Sequence, residues 1–217
     1  MTDRMRSLFQ TLDDVVDALE SIGVRFVVGG SVACIAHGRW RTTEDVDIAA
    51  ELTSTHVAPL CERLKDSFAI YEPAVLEAVV RQSSFSLIHS ERIDKVDVFV
   101  SSGTMFDKMQ FERMVIAPLP KESDWMRPLP LTSAEDIVLH KLMWFDKSDR
   151  VSERQWRDIL GVLTNQFGKL DVTYMQQWAA KLSVFGLLEE AMEQAEMNVN
   201  GIDDGQRVPQ SRQRRDE

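Results

Sequence analysis

Cysteine is nearly absent from the chain. Only Cys34 and Cys61 occur, both in apolar helical patterns and neither with a Cys or His at metal-ligand spacing. A redox or zinc role therefore has little support, and two buried free thiols are expected. Also missing is any apolar run approaching the roughly 18 residues that a membrane-spanning helix requires. The N-terminal stretch MTDRMRSLFQTLDD carries acids where a secretion signal would carry its apolar segment. A soluble, cytoplasmic protein with no membrane partner is expected. Basic residues are scarce relative to acids, 25 Lys and Arg against 35 Asp and Glu, for a formal net charge of −10. Such a chain is a poor nonspecific binder of nucleic acid, because phosphate contacts need Lys and Arg, although a local basic patch is compatible with it. Internal repeats are absent too. What is present in ordinary amount is apolar surface. Hydrophobic residues make up 44% of the 217 positions, enough for one sizeable domain or two small ones sharing a core.

Apolar periodicity predicts the elements. Leu8, Leu12, Val15, Val16, Leu19 and Ile22 mark one face of a helix over 4–22, ended by Gly23. Residues 24–28 read as a buried strand closed by Gly29 and Gly30, and 31–36 as a short helix. After a polar loop, Asp45-Val46-Asp47-Ile48-Ala49-Ala50 alternates with the period of a strand. Helices are expected over 55–66 and 73–82, and a strand pair over 84–89 and 95–100. Prolines at 118, 120, 128 and 130 read as a linker. Thr132 to Glu135 and Ser152 to Gln155 read as capping boxes that open helices, and two further helices follow near 173–182 and 186–198. The expectation is an α/β (α+β) protein: a small mixed β-sheet domain over 1–118, a Pro-rich linker over 119–130, a helical subdomain over 131–199, and a disordered tail over 200–217.

Three features carry chemistry. Gly29-Gly30-Ser31 lies between a strand and a helix start, where glycines let a backbone approach a ligand closely and unpaired N–H groups meet an anion. Replacing Gly30 by valine is expected to block that approach and leave the fold largely intact. Asp45 and Asp47 stand at i and i+2 of a strand, on one face and about 6.5–7 Å apart. Carboxylates so placed repel unless a cation lies between them, and magnesium suits hard oxygen ligands. Asp97 is an acid inside the apolar strand Lys95 to Val100 and needs a partner, either a metal or Lys95 on its own face. Asp94 is a rival for the third carboxylate.

Together these residues resemble the nucleotidyltransferase superfamily that includes polymerase beta and the small antibiotic-modifying enzymes. The resemblance rests on Gly30-Ser31, thirteen intervening residues, the Asp45-Val46-Asp47 strand and a third acid on a later strand. Arg41-Thr42-Thr43-Glu44-Asp45-Val46-Asp47 also looks like the Arg-x-Thr-x-Asp-x-Asp loop of the abortive-infection toxin branch. Glu135-Asp136 followed by Lys141, and Arg154 to Asp158, look like that branch's later helices. The resemblance covers roughly residues 10–165.

The resemblance implies a metal-dependent enzyme that moves a nucleoside monophosphate from a nucleoside triphosphate to an acceptor hydroxyl. It implies Asp45, Asp47 and Asp97 as catalytic residues and ligands of two Mg²⁺ ions. Gly29, Gly30, Ser31, Arg41 and Lys141 would bind the nucleotide, Arg39 being an alternative to Arg41 as a phosphate counter-charge. Asp158 reads as a structural partner of Lys141 or an Arg, and His140 as a packing residue. The acceptor is an RNA, a protein or a small molecule, with tRNA 3′ ends favoured by the toxin branch and an antitoxin protein as a further partner. Two rivals stand beside this reading: an aminoglycoside-type antibiotic nucleotidyltransferase, and a non-catalytic member that binds a nucleotide or a protein.

Overall fold

The computed structural model describes residues 2–119 and 127–206, the side chains of 202–206 excepted. A mixed seven-stranded sheet runs in the order β3-β4-β5-β2-β1-β7-β6. Its centre is β2 (Asp45–Ala50), parallel to β5 (Lys95–Val100) and antiparallel to β1 (Phe26–Val28). Outward from β5 lie β4 (Ser84–His89) and the short β3 (Phe68–Ala69), both antiparallel to their neighbours. Outward from β1 lie β7 (Leu129–Leu131), parallel to it, and β6 (Val115–Ala117).

Alternation along β2 and β5 divides the sheet into a dry and a polar face. Val46, Ile48 and Ala50, with Val96, Val98 and Val100, are buried on one side. There they meet Leu12, Val15, Val16 and Leu19 of α1 (Asp3–Ser21) and Leu60 and Leu64 of α3 (Ser54–Leu64), with α4 (Glu72–Val80) beside them. Side chains of this kind each contribute about 1.5–3 kcal/mol on full burial. On the opposite face the first two in-register pairs are polar, Asp45 beside Lys95 and Asp47 beside Asp97, which in turn faces Ser86 of β4, and the third is Ala49 beside Phe99.

A second core is helical. It joins α6 (Ala134–Lys147), α7 (Glu153–Asn165), α8 (Val172–Lys181) and α9 (Phe185–Gln206) through Leu139, Leu142, Ile159, Val162, Met175 and Leu188. The short α2 (Gly30–Ala36) belongs to both cores. Val32 and Ile35 enter the sheet core, whereas Ala33 and Cys34 enter the helical one. A helix buried on every side, as here over 31–35, is one whose sequence is apolar all round. Cys34 and Cys61 are buried free thiols, and burial pushes the Cys34 thiol up to about 12. No helix among the described residues is long and apolar enough to cross a membrane.

Several elements differ from the sequence reading. The helix α5 (Met105–Glu112) and the strands β3, β6 and β7 carry too little periodicity to be read from sequence; pairing and docking define them. Within the expected linker, residues 120–126 lie outside the described residues, and the remainder runs into β7, with Pro130 opposite Ile116. The cap of α6 is Ser133, one residue later than the expected box, accepting from the Asp136 amide at 3.1 Å. Ser152 caps α7, but its expected box partner Gln155 turns instead to Lys141. The helix α9 extends through Asn200 to Gln206. The rest of the tail expected to be disordered, 207–217, lies outside the described residues.

Candidate active site

A cavity of about 600 Å³ opens between the polar face of the sheet and helices α5, α6 and α7. Gly29, Gly30, Ser31, Arg41, Asp45, Asp47 and Lys141 all line it, so the turn, the loop, the strand and a residue nearly a hundred positions later share one wall system. Asp97 stands beside Asp47 in the sheet register, one strand further out. Its carboxylate accepts from Ser86 Oγ at 2.6 Å and pairs with Lys95 Nζ at 2.7 Å. Asp94, the rival third acid, is directed elsewhere. Its Oδ2 accepts from Ser7 Oγ at 2.5 Å and Thr11 Oγ1 at 3.1 Å, both on α1.

The turn after β1 is built around Asp47. The Gly29 amide donates to the Asp47 carbonyl at 2.8 Å, and Gly30 has φ +52. A Cβ at Gly30 would lie 1.7 Å from Asp47 Oδ2. The expectation that valine at this position spares the fold is therefore corrected: the side chain would strike the carboxylate before any ligand. Asp45 is oriented by Thr43, whose buried hydroxyl reaches both the Asp45 carbonyl (3.0 Å) and Oδ1 (3.2 Å).

Behind the cavity the cations are tied to one buried acid. Arg41 grips Asp158 in a fork, Nε to Oδ1 at 2.9 Å and Nη2 to Oδ2 at 3.0 Å, and Nη2 also donates to Ser31 Oγ. Lys141 Nζ meets Asp158 Oδ2 at 2.9 Å and Gln155 Oε1 at 2.9 Å. Two cations on one carboxylate leave the cluster with a net positive charge at the cavity wall. Asp158 lies below its ordinary pKa despite burial, held there chiefly by the Arg41 hydrogen bonds and by Lys141.

No protein-family model and no curated protein matches the chain. Among solved structures, the antibiotic-resistance factor ANT(2'')-Ia superposes with a TM-score of 0.51, covering 85% of this chain and 96% of that one at 14% identity. The chain has the nucleotidyltransferase fold. An antigenic nucleotidyltransferase-like protein from Paracoccidioides brasiliensis aligns at 15% identity and TM-score 0.48, covering 88% of this chain and 93% of its own. The lincosamide antibiotic adenylyltransferase LnuA, lincomycin-bound, aligns at 18% identity and TM-score 0.45, covering 75% and 96%.

In this nucleotidyltransferase fold the polar cavity also gathers Gln110 and Trp144, which sequence reasoning missed, and residues it read otherwise, His140 as packing and Thr132 and Gln155 as parts of helix caps. Gln110 of α5 donates to Thr132 Oγ1 at 3.1 Å, and its Oε1 meets His140 Nε2 at 3.2 Å. All three line the cavity, as do Trp144, Arg154 and Gln155. Burial holds His140 down at about 4, so it is neutral near pH 7 and offers no charge to an anion. Nothing in the local sequence around Gln110 signals a site; only the docking of α5 brings it there.

Asp47 has the more informative titration. Burial, then the charges of Asp45 and Asp97, push it up to about 6 from the ordinary 3.8. The folded state therefore holds a proton that the unfolded chain has released between these values. Stability falls as pH rises through that window and stays low above it. Two pKa units correspond to about 3 kcal/mol. Asp47→Asn is accordingly expected to be more stable than the parent at pH 8 in metal-free buffer, by up to about 3 kcal/mol, and equal to it near pH 3. Urea titrations at the two pH values check this; an equal difference at both would refute it.

The same repulsion bears on a metal. Among the described residues, no three carboxylate, imidazole or thiolate groups are already drawn together as a ligand set. The donors nevertheless fit magnesium: Asp45 and Asp47 are hard oxygen ligands on one strand face, and their mutual repulsion is what a divalent cation relieves. Asp97 joins them only when Lys95 gives way.

Proposed function

We propose that this protein transfers a nucleoside monophosphate from a nucleoside triphosphate to an acceptor hydroxyl, with Asp45, Asp47 and Asp97 as its magnesium-binding carboxylates. The observation that carries this reading is the placement of Asp45 and Asp47 on the wall of a nucleotide-sized cavity, with Asp97 in register beside them and the Arg41–Asp158–Lys141 cluster behind. Magnesium held there would neutralise the triphosphate while the acceptor oxygen attacks the α-phosphorus in line and the bond to pyrophosphate, the leaving group, breaks. Gly29 and Gly30 keep side chains out of the phosphates' path. Lys141 has three donors, two of them used internally, and the third would serve a phosphate oxygen. Ser31 is fixed by Arg41 at the same wall. Asp97, released from Lys95, accepts the proton of the acceptor hydroxyl.

The acceptor reading shifts when the cations are counted in space. The basic residues that would favour tRNA are Arg39, Arg41, Lys141, Lys147, Arg150, Arg154 and Arg157. Arg41 and Lys141 are taken up by Asp158, Arg150 pairs with Asp146, and Arg39 and Arg157 line a different concave surface. Lys147 and Arg154 are left on the cavity. This favours a second reading, a small hydroxylated acceptor of the aminoglycoside kind, because few cations remain free to hold the phosphates of an RNA.

Two measurements test the proposal. Magnesium with a nucleoside triphosphate at a hundredfold excess over its dissociation constant should stabilise the protein by about 2.7 kcal/mol, seen as a raised melting temperature. Asp47→Asn should lose most of that gain, and an unchanged gain would remove the metal assignment. Incubation with each labelled triphosphate, magnesium and either total RNA or an aminoglycoside should then transfer label to one acceptor class.

A further inference from the structure

A second concave surface, also of about 600 Å³, lies further along α7 and shares no lining residue with the first cavity. Its polar lining is Arg39, Arg157, Thr164, Asn165 and Asn198. Among the described residues no carboxylate lines it, in a chain whose net charge is −10. Two of its polar atoms are buried without any hydrogen-bond partner, Arg39 Nε and Thr164 Oγ1. Among the described residues, Arg39 makes no side-chain hydrogen bond or ion pair at all.

Arg39 is placed there by the fold. Its amide donates to the Cys34 carbonyl at 2.8 Å, closing α2. Its stem then crosses α7 at Gly161, where an added Cβ would lie 2.1 Å from Arg39 Cδ. Glycine inside a helix is unfavourable relative to alanine, and here it makes room for a guanidinium that satisfies nothing in return. Buried donors without partners are costly, and such an orphan in a native structure calls for an acceptor, from water or from a ligand. The neighbouring donors define its chemistry: Thr164 hydroxyl, Asn198 amide and Arg157, whose pairing with Glu153 is an exposed i,i+4 contact easily exchanged.

We propose that this basin binds a phosphate group, free or esterified, on the Arg39 guanidinium, with Thr164, Asn198 and Arg157 completing the donor set. The planar fork of Arg matches tetrahedral oxyanions, and charge-assisted hydrogen bonds to them are the strong ones. The site is separate from the cavity assigned to nucleotidyl transfer and does not rest on that assignment.

The test is a titration of the full-length, isotope-labelled protein without divalent metal, followed by NMR. Inorganic phosphate is the probe in one arm and a heptauridylate in the other. The Arg39 Nε–H signal and the amides of Thr164 and Asn198 should shift and saturate. A shift with inorganic phosphate alone identifies a free-phosphate site; tighter, salt-sensitive binding of the oligonucleotide identifies an esterified one. Arg39→Met should weaken binding at least about tenfold. Asn198→Asp, at an exposed helical position where folding is not at stake, should weaken it about fivefold through repulsion. Arg81→Met, an equal charge change at a distant surface pair, should leave it unaltered. Shifts confined to the first cavity, or equal weakening by Arg39→Met and Arg81→Met, would overturn the proposal.

Discussion

Asp158→Asn is expected to cost this protein about 3–5 kcal/mol, a large part of the stability of a domain of its size. The carboxylate is 1% exposed and holds Arg41 through two hydrogen bonds and Lys141 through a third contact. Neutralising it leaves two cations facing each other in a site with little water. Lys141→Met, by contrast, leaves the Arg41–Asp158 fork intact and is expected to cost about 1 kcal/mol. Adding Lys141→Met to Asp158→Asn should restore part of the loss, because one of the stranded charges is gone. The pH dependence has a definite sign. Asp158 is depressed in the folded state, so its contribution is present above the ordinary aspartate value of 3.8 and fades as pH falls through the lower folded value. The gap between parent and Asp158→Asn should therefore narrow only in strong acid. Denaturant midpoints of the four proteins at pH 7, and of parent and Asp158→Asn at decreasing pH, check this. A pH-independent gap, or Lys141→Met as damaging as Asp158→Asn, would contradict the clasp.

Gly30→Ala is expected to destabilise by about 2–4 kcal/mol, combining a left-handed backbone with an overpacked contact. The backbone part is isolated by a control within the same chain. Gly23 has φ +71 and nothing within 4 Å of an added Cβ, so Gly23→Ala carries only the conformational cost, about 1–2 kcal/mol. The excess at Gly30 measures the approach of the turn to Asp47. That excess should shrink in the double variant Gly30→Ala with Asp47→Ala, which removes the carboxylate the methyl would strike. Equal losses at Gly23 and Gly30 in urea unfolding would show that the close approach is not a packing constraint.

Both variants concern residues that sequence reading singled out, for reasons the structure partly redirects. Gly30 drew attention as an opening for phosphate; its nearest neighbour is Asp47, so the same glycine that clears the cavity also seats the acid. Asp158 read as a structural partner of Lys141 or an Arg, and it serves Lys141 and Arg41 together. That both cations meet one acid was beyond a sequence reading, because 117 positions separate Arg41 from Asp158. Asp94 and Asp97 lay three residues apart with similar surroundings in sequence. Strand register separates them: Asp97 pairs beside Asp47, whereas Asp94, just before β5, turns to α1.

The sequence by itself determined the long elements and the polar stripe of the sheet. Helix α1 and strands β2 and β5 announce themselves because periods of 3.6 and 2 are local, and because Asp45 and Asp47 must share a face once their strand is extended. Only the tertiary structure decided what lies opposite that face. It supplied the two- and three-residue strands β3, β6 and β7, whose stability comes from pairing rather than pattern. It carried Gln110, Thr132 and His140 into the cavity, brought Arg41 and Lys141 to Asp158, and left Arg39 across Gly161 with no partner among the described residues. The physical reason is the same in each case: a short-range repeat is written in neighbouring residues, whereas a contact between distant ones exists only after both cores have packed around α2.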